Sequence, residues 1–283
     1  MEIAGKIALI TGGGGGIGGA IGAELARRGA RVAVADRDRV RAQAVADRIV
    51  AQSGAASAFA LTLDVTCQED FDAARAAIEA EFGPLDILVS NAGVGHTEPL
   101  GEISAEAFQW VHDVNLVASV RALKAFLPGM KARGAPAHVL LTCSITALRP
   151  FATQAAYTSS KAALLNLGLV LEIELQGTAI GVSALCPGIV ATDLGANARA
   201  AKPEALRIPA DDNAAPSPLS QGMSANAVAR AAVDAIAAGR FYVFPTVDYS
   251  DTVAAEQRAV LAAMGEQAQA GYAEPAFLTL PLR

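Results

Sequence analysis

The sequence predicts an α/β fold: a single domain, residues 1–283, built on a doubly wound parallel sheet with helices on both faces. Three observations carry this expectation. Short β-branched and aliphatic runs alternate with longer stretches of helical period, a glycine cluster joins the first run to the first helix, and no Ser/Gly/Pro-rich linker divides the chain. Parallel strands cannot be joined by tight turns, so each connection must cross the sheet, and a helix is the usual path.

The elements follow in order. Lys6–Thr11 is an aliphatic run ending in glycines and reads as the first strand, with Ile17–Arg28 an Ala-rich amphipathic helix behind it. Arg31–Ala35 and Asp38–Gln52 repeat the strand–helix pair, as do Ala58–Leu63 and Glu69–Phe82. Ile87–Ser90 is the fourth strand, followed by one long helix over Ala105–Lys131. The strand His138–Cys143, the helix Gln154–Gln176, the strand Gly181–Cys186, the helix Ala225–Ala238 and the strand Phe241–Phe244 complete the alternation. Two parts fall outside it. Residues 192–223 carry prolines at 203, 209, 216 and 218 and follow a strand end, where such sheets bind ligands, so they are a candidate substrate lid. Residues 246–283 form a C-terminal extension with one helix, about Val253–Gln269, and a Pro-containing tail.

Composition narrows the function classes. With 53% hydrophobic and 18% charged residues the chain has ample material for a core. Its net charge of −6 and lack of any Lys/Arg run argue against a nucleic-acid partner. The longest apolar stretches are broken by Asn166, Glu172 and Glu174, so no membrane partner is expected, and the absence of a basic leader before Lys6 points to a cytoplasmic location. Cys67, Cys143 and Cys186 are odd in number and far apart, which suits buried thiols, and the three histidines lack ligand spacing, so no metal is expected.

The glycine cluster carries the first functional reading. Gly12, Gly16 and Gly18, with Ile17 between the last two, lie where a strand meets a helix N-terminus, and the free N–H groups there suit a pyrophosphate. Asp36 ends the second strand, where a carboxylate accepts hydrogen bonds from adenosine ribose hydroxyls and repels a 2′-phosphate, so NAD is favoured over NADP; Arg37 beside it works against that repulsion. Asp64-Val65 and Asn91-Ala92-Gly93 are further strand ends on the same edge.

Tyr157 and Lys161 stand four apart at the start of a helix and share one face. A phenol of pKa about 10 is a poor base near neutrality, and positive charge from Lys161 and from an oxidised nicotinamide is expected to lower that value.

In these motifs the chain resembles the short-chain dehydrogenase/reductase family, in the branch with TGxxxGxG and YxxxK motifs. Thr11-Gly12, Gly16 and Gly18 match the first motif and Tyr157 through Lys161 the second, over a resemblance spanning roughly Ile7 to Phe244. The resemblance implies a Rossmann fold. It implies Ser144, thirteen residues before Tyr157, as the hydroxyl orienting the substrate oxygen, and Asn115 as the residue holding a water that links Lys161 to solvent. Asn91-Ala92-Gly93 is similar to the family's NAG motif, and Pro187-Gly188 with Thr192 to the segment beside the nicotinamide carboxamide. Ser90 and Cys143 depart from common family residues without removing a named role.

The expected function is therefore an NAD-dependent oxidoreductase interconverting a secondary alcohol and a ketone. The lid contributes Val190, Leu194, Leu206, Ile208, Leu219 and Met223, with Arg199, Lys202 and Arg207 read as solvent-facing, so a bulky, apolar, aryl or alicyclic substrate is expected. His96 is a candidate to face it, Trp110 reads as core or interface, and Thr146 as a second hydroxyl near Ser144. The competing reading is a catalytically silent NAD-binding regulatory or scaffold protein, against which the full set Asn115, Ser144, Tyr157 and Lys161 argues. Gln154–Gln176 carries more apolar residues than one face needs, which with the family habit of pairing this helix predicts a homodimer or homotetramer.

Overall fold

The computed structural model of the protein describes residues 1–54, 57–192, 194–206 and 221–267. The chain divides into two compact units, Met1–Pro245 and Thr246–Arg283. In the first, the order is β1 (Ile7–Thr11), α1 (Gly16–Arg27), β2 (Arg31–Asp36), α2 (Arg39–Ser53), β3 (Ala58–Thr62), α3 (Gln68–Glu81), β4 (Ile87–Ser90), α4 (Ala105–His112), α5 (Ala118–Arg133), β5 (Ala137–Thr142), α6 (Ala155–Glu174) and β6 (Ile180–Leu185). It continues with β7 (Val190–Ala191), α7 (Leu194–Ala201), β8 (Met223–Ser224), α8 (Ala225–Ala238) and β9 (Tyr242–Val243). The second unit holds α9 (Ser250–Gln267).

Among the described residues, seven strands form one parallel sheet in the order β3-β2-β1-β4-β5-β6-β9. Strand alternation explains its two-sided core. Ile7 and Leu9 of β1 face a cluster with Phe71, Ile78, Phe126 and Leu164 from α3, α5 and α6. Ala8 and Ile10 face the opposite cluster with Ile21, Leu25, Val45, Ile49, Val233 and Ile236 from α1, α2 and α8. The strand order reverses between β1 and β4, and ligands of such sheets bind beyond the carboxyl ends at that point.

All seven predicted strands are present, and the first three helices begin and end within a residue of their predicted bounds. The expected continuous helix over 105–131 is not. A π turn, Asp113–Val117, separates α4 from α5 and places Asn115 at its centre. Within the predicted lid the chain forms β7, α7 and β8, with β7 pairing β8 through Val190 and Met223. Val190 is buried in the core on the α8 side and Met223 packs against it, so neither lines a substrate cavity as expected. Lys202, expected on the solvent side, is buried, whereas Arg199 is exposed. Arg207, Ile208 and Leu219, like residues 268–283 of the extension, lie outside the described residues.

Candidate active site

The cofactor edge is assembled by backbone hydrogen bonds between strand ends. Thr11 Oγ1 accepts the N–H groups of Asn91 (3.0 Å) and Ala92 (3.1 Å), and Asn91 Nδ2 donates back to Thr11 O (3.1 Å) and Gly12 O (3.3 Å). The glycine loop and the Asn91-Ala92-Gly93 turn are thus one unit. Thr142 Oγ1 at the end of β5 joins it by donating to Asn91 Oδ1 at 3.2 Å. Gly12 has φ +63° and a Cβ there would lie 2.8 Å from Ala92 Cα, so only glycine fits this approach.

Helix α1 then starts at Gly16 behind Gly15, with no side chain capping its N-terminus. Its first-turn N–H groups and its dipole are left for an anion, and a pyrophosphate fits this donor set. At the end of β2, Asp36 accepts the N–H groups of Gly14 and Asp38, both at 3.0 Å. Ile17 is partly buried on α1, Val65 is buried, and exposed Asp64 accepts from Thr66 through both its N–H and its hydroxyl. Across the mouth, Thr192 packs on the loop, since a Cβ on Gly16 would lie 3.4 Å from its Cγ2. Buried Pro187, beside Gly188, accepts the Ile145 N–H at 3.0 Å and ties the end of β6 to the turn that follows Ser144.

The expected catalytic residues converge at the ends of β4 and β5. Tyr157 sits in the first turn of α6, half-buried, with Ser144, itself buried beyond the end of β5, as the neighbour that favours its phenolate. Lys161, one turn further along α6, is buried and donates from Nζ to Thr142 O at 2.7 Å, with Nζ 5.9 Å from the Tyr157 ring centroid. Asn115 Oδ1 accepts the Val94 N–H at 2.8 Å, and its Nδ2 donates to Val94 O and Ser160 Oγ, each at 3.0 Å. A Cβ on Gly93 would lie 3.2 Å from Asn115 Oδ1 and 3.4 Å from Lys161 Nζ, so this glycine leaves the room in which the two side chains meet the turn. Through these contacts with Val94 and Ser160 the Asn115 amide ties the π turn to the segment after Gly93.

In the chain by itself, burial dominates the charge balance. It pushes the Tyr157 phenol above its ordinary value, the neighbouring Ser144 hydroxyl opposes this, and Cys143 adds to the rise. Burial brings the Lys161 ammonium down to about 8, against opposing interactions with Cys143 and Cys186. The chain alone therefore does not lower the phenol: with Nζ 5.9 Å from the ring centroid, desolvation by the surrounding residues outweighs stabilisation.

The partners of several neighbours were not legible in the sequence. Cys143 and Cys186 follow the paired residues Thr142 and Leu185 on adjacent strands; the neighbouring Cys143 thiol and burial push the Cys186 thiol up. Cys67, expected buried, is partly exposed before α3. Thr146 Oγ1 is buried without a partner two residues beyond Ser144. His96 Nε2 pairs with Glu98 Oε2 at 2.9 Å, and Glu98 bridges Gln154 just ahead of Tyr157. Trp110, Phe108 and Ile103 pack on a small cluster of Val94, Val111, Ala156 and Ala198, which joins α7 to the residue before Tyr157. Among the described residues no group of three His, Cys, Asp or Glu side chains forms a metal site, and no helix is long and apolar enough to cross a membrane.

Fold and site together define a doubly wound α/β oxidoreductase with its reactive side chains beyond the central strands. The chain belongs to the short chain dehydrogenase family, whose model matches residues 6–203. It is 34% identical over 250 residues to 1-deoxy-11-beta-hydroxypentalenate dehydrogenase of Streptomyces exfoliatus, covering 88% of this chain and 86% of that one. A short chain dehydrogenase of Pseudocercospora fijiensis is 38% identical over 197 residues; the match covers 69% of this chain and spans 63% of that relative's length. Among solved structures, a short chain dehydrogenase/reductase from Burkholderia phymatum in complex with NAD has a TM-score of 0.86 at 29% identity, covering 93% and 96% of the two chains. An alcohol dehydrogenase from Thermococcus sibiricus, complexed with 5-hydroxy-NADP, has a TM-score of 0.70 at 29% identity, covering 84% and 95%. A nicotinamide cofactor is supported by these neighbours.

Proposed function

We propose that the protein interconverts a secondary alcohol and its ketone with NAD, and that its substrate is bulky and largely apolar, of aryl or alicyclic type. The observation that carries this reading is the convergence of Tyr157 and Ser144 beyond the end of β5, with Lys161 buried one turn along α6. Gly12, Gly16, Ile17 and Gly18 with the α1 N-terminus would hold the pyrophosphate and Asp36 the adenosine ribose. Asp64, Val65, Asn91, Ala92 and Gly93 would line the adenine and ribose side, and Pro187, Gly188 and Thr192 the carboxamide side. When bound, the nicotinamide supplies hydride acceptance or donation.

The side chains handle orientation and the proton. Ser144 holds the substrate oxygen, and Tyr157 takes the hydroxyl proton in oxidation or returns it in reduction. Lys161 supports the phenolate and reaches the nicotinamide ribose, and Asn115 keeps the Gly93-Val94 turn against it. NAD over NADP is supported by the Asp36 carboxylate at the end of β2, and by Arg37, which donates to Ala200 O and Ala201 O and so is engaged elsewhere. An apolar substrate is supported by the cluster of Val94, Ile103, Phe108, Trp110 and Ala198 adjoining Ala156, and by a relative named for a hydroxypentalenate. Residues 194–206 take part as a cover over this side. A homodimer or homotetramer accompanies this reading, with α6 at the interface.

The test is a panel of aryl and alicyclic secondary alcohols and ketones, short polyols and sugar phosphates, run with NAD and NADP and followed by nicotinamide absorbance. The bulky apolar compounds should show the highest kcat/KM with NAD, and Tyr157→Phe should lower kcat by about 10²–10⁴ while NADH affinity holds. Near-native turnover by Tyr157→Phe would remove the mechanism.

A further inference from the structure

Helix α7 touches the cofactor edge at two places, and Thr192 ahead of it at a third. Arg41, in the first turn of α2, donates from Nη1 to Asn197 Oδ1 at 2.6 Å and from Nε to Gly14 O at 3.4 Å. Its guanidinium lies against the glycine loop, since a Cβ on Gly15 would come within 2.9 Å of Nη2. Arg37, next to Asp36, donates to Ala200 O at 3.0 Å and Ala201 O at 3.1 Å, the last two carbonyls of α7. Thr192, just before α7, rests on Gly16.

These contacts have a physical logic. The final carbonyls of a helix lack intrahelical partners and carry the negative end of its dipole, so a guanidinium is the fitting cap. An eight-residue helix has little stability of its own, so where α7 sits is decided by what holds it. Asp38 fixes the start of α2 by accepting the N–H groups of Val40 and Arg41, which aims both arginines from a rigid base. On its other side α7 packs through Ala198 and Ala201 into the cluster that includes Ala156, the neighbour of Tyr157. One short helix thus spans the distance between the ribose-side carboxylate Asp36 and the first turn of α6.

Resting on the NAD reading above, we propose that Arg37 and Arg41 form a latch holding α7 over the adenosine end of the dinucleotide site, so that the dinucleotide enters and leaves only when the latch opens. Arg37 and Arg41 are positioning residues in this scheme, and Asn197 is the latch's catch on α7. A gate slows passage in both directions equally, whereas a contact with the dinucleotide itself slows release alone.

Stopped-flow NADH fluorescence on the full chain measures the association and release rates for the wild type, Asn197→Ala and Asn197→Asp. Losing a hydrogen bond to a charged group shifts an equilibrium by about tenfold or more, so Asn197→Ala should raise both rates by about tenfold with the dissociation constant nearly unchanged. Asn197→Asp turns the bond into an ion pair with Arg41 and should lower both rates. Unchanged rates in both variants, or a change in release alone, would overturn the latch. A wild type that binds no NADH would overturn the cofactor reading and the latch together, and is distinct from either of those results.

Discussion

Asp36 holds two backbone N–H groups in the structure, those of Gly14 and Asp38, so its carboxylate shapes the glycine loop as well as presenting charge at the end of β2. Removing it takes away a brace of the loop and, on the proposed reading, a ribose acceptor and a repulsive charge toward a 2′-phosphate. Asp36→Ala should therefore weaken NADH binding by about tenfold or more and narrow the preference over NADPH, as read by parallel fluorescence titrations. An unaltered affinity ratio would take Asp36 out of cofactor choice. The type and position of Asp36 were legible in the sequence because a strand end is a local feature. Arg37 was read as a complication for the same choice, and only its distances to Ala200 and Ala201 reveal a partner 163 or 164 residues away.

At the scale of an element, the junction of α4 and α5 matters most to the site. Hydrophobic period runs through Ala105–Lys131 without a break, so the sequence reads as one helix; the π turn at Asp113–Val117 adds a residue to the turn and swings Asn115 toward Val94 and Ser160. Asn115→Ala would leave both the N–H and the carbonyl of Val94 without this partner in a buried place. Two such losses cost about 2–6 kcal/mol, so thermal unfolding should shift down by several degrees and turnover should fall with it. A variant with native melting temperature and rate would show that the π turn holds itself. Helix α6 presents the opposite case: its leucines 164, 165 and 171 are buried as the sequence suggested, yet Val170 is 49% and Ile173 42% exposed, as is Val120 of α5 at 47%.

For the molecule as a whole, those exposed side chains predict self-association through α5 and α6. Light scattering at micromolar concentration should return a dimer or tetramer mass, and a monomer would refute the interface. Stability should also depend on acid in a defined way. His138 of β5 is buried, pairs through Nε2 with Ser183 Oγ at 2.8 Å, and burial brings its imidazole down to about 3. An unfolded histidine takes its proton near pH 6.5, so from about 6.5 down toward 3 the unfolded chain binds a proton the native chain refuses. This group thus lowers stability as pH falls through that window and has no effect above it. His138→Gln keeps a donor for Ser183 and should flatten the decline of melting temperature between pH 6.5 and 4; an identical decline would assign it to other groups.

What the amino-acid sequence determined by itself is whatever depends on neighbours along the chain. The alternation of strands and helices, the glycine loop ahead of α1, the acid at the end of β2 and the Tyr157–Lys161 spacing all follow from short-range geometry, and together they identified family, fold and the candidate reactive residues. Tertiary structure decided what depends on residues brought together from afar. It gave Lys161 the carbonyl of Thr142, set Cys143 beside Cys186, drew Asn115 into a π turn against Val94, buried Val190 in the core, and carried α7 onto Arg37 and Arg41. The physical reason is that burial and hydrogen-bond satisfaction are settled across the sheet, where packing overrides local period and a single carbonyl or guanidinium selects its partner by position in space rather than in sequence.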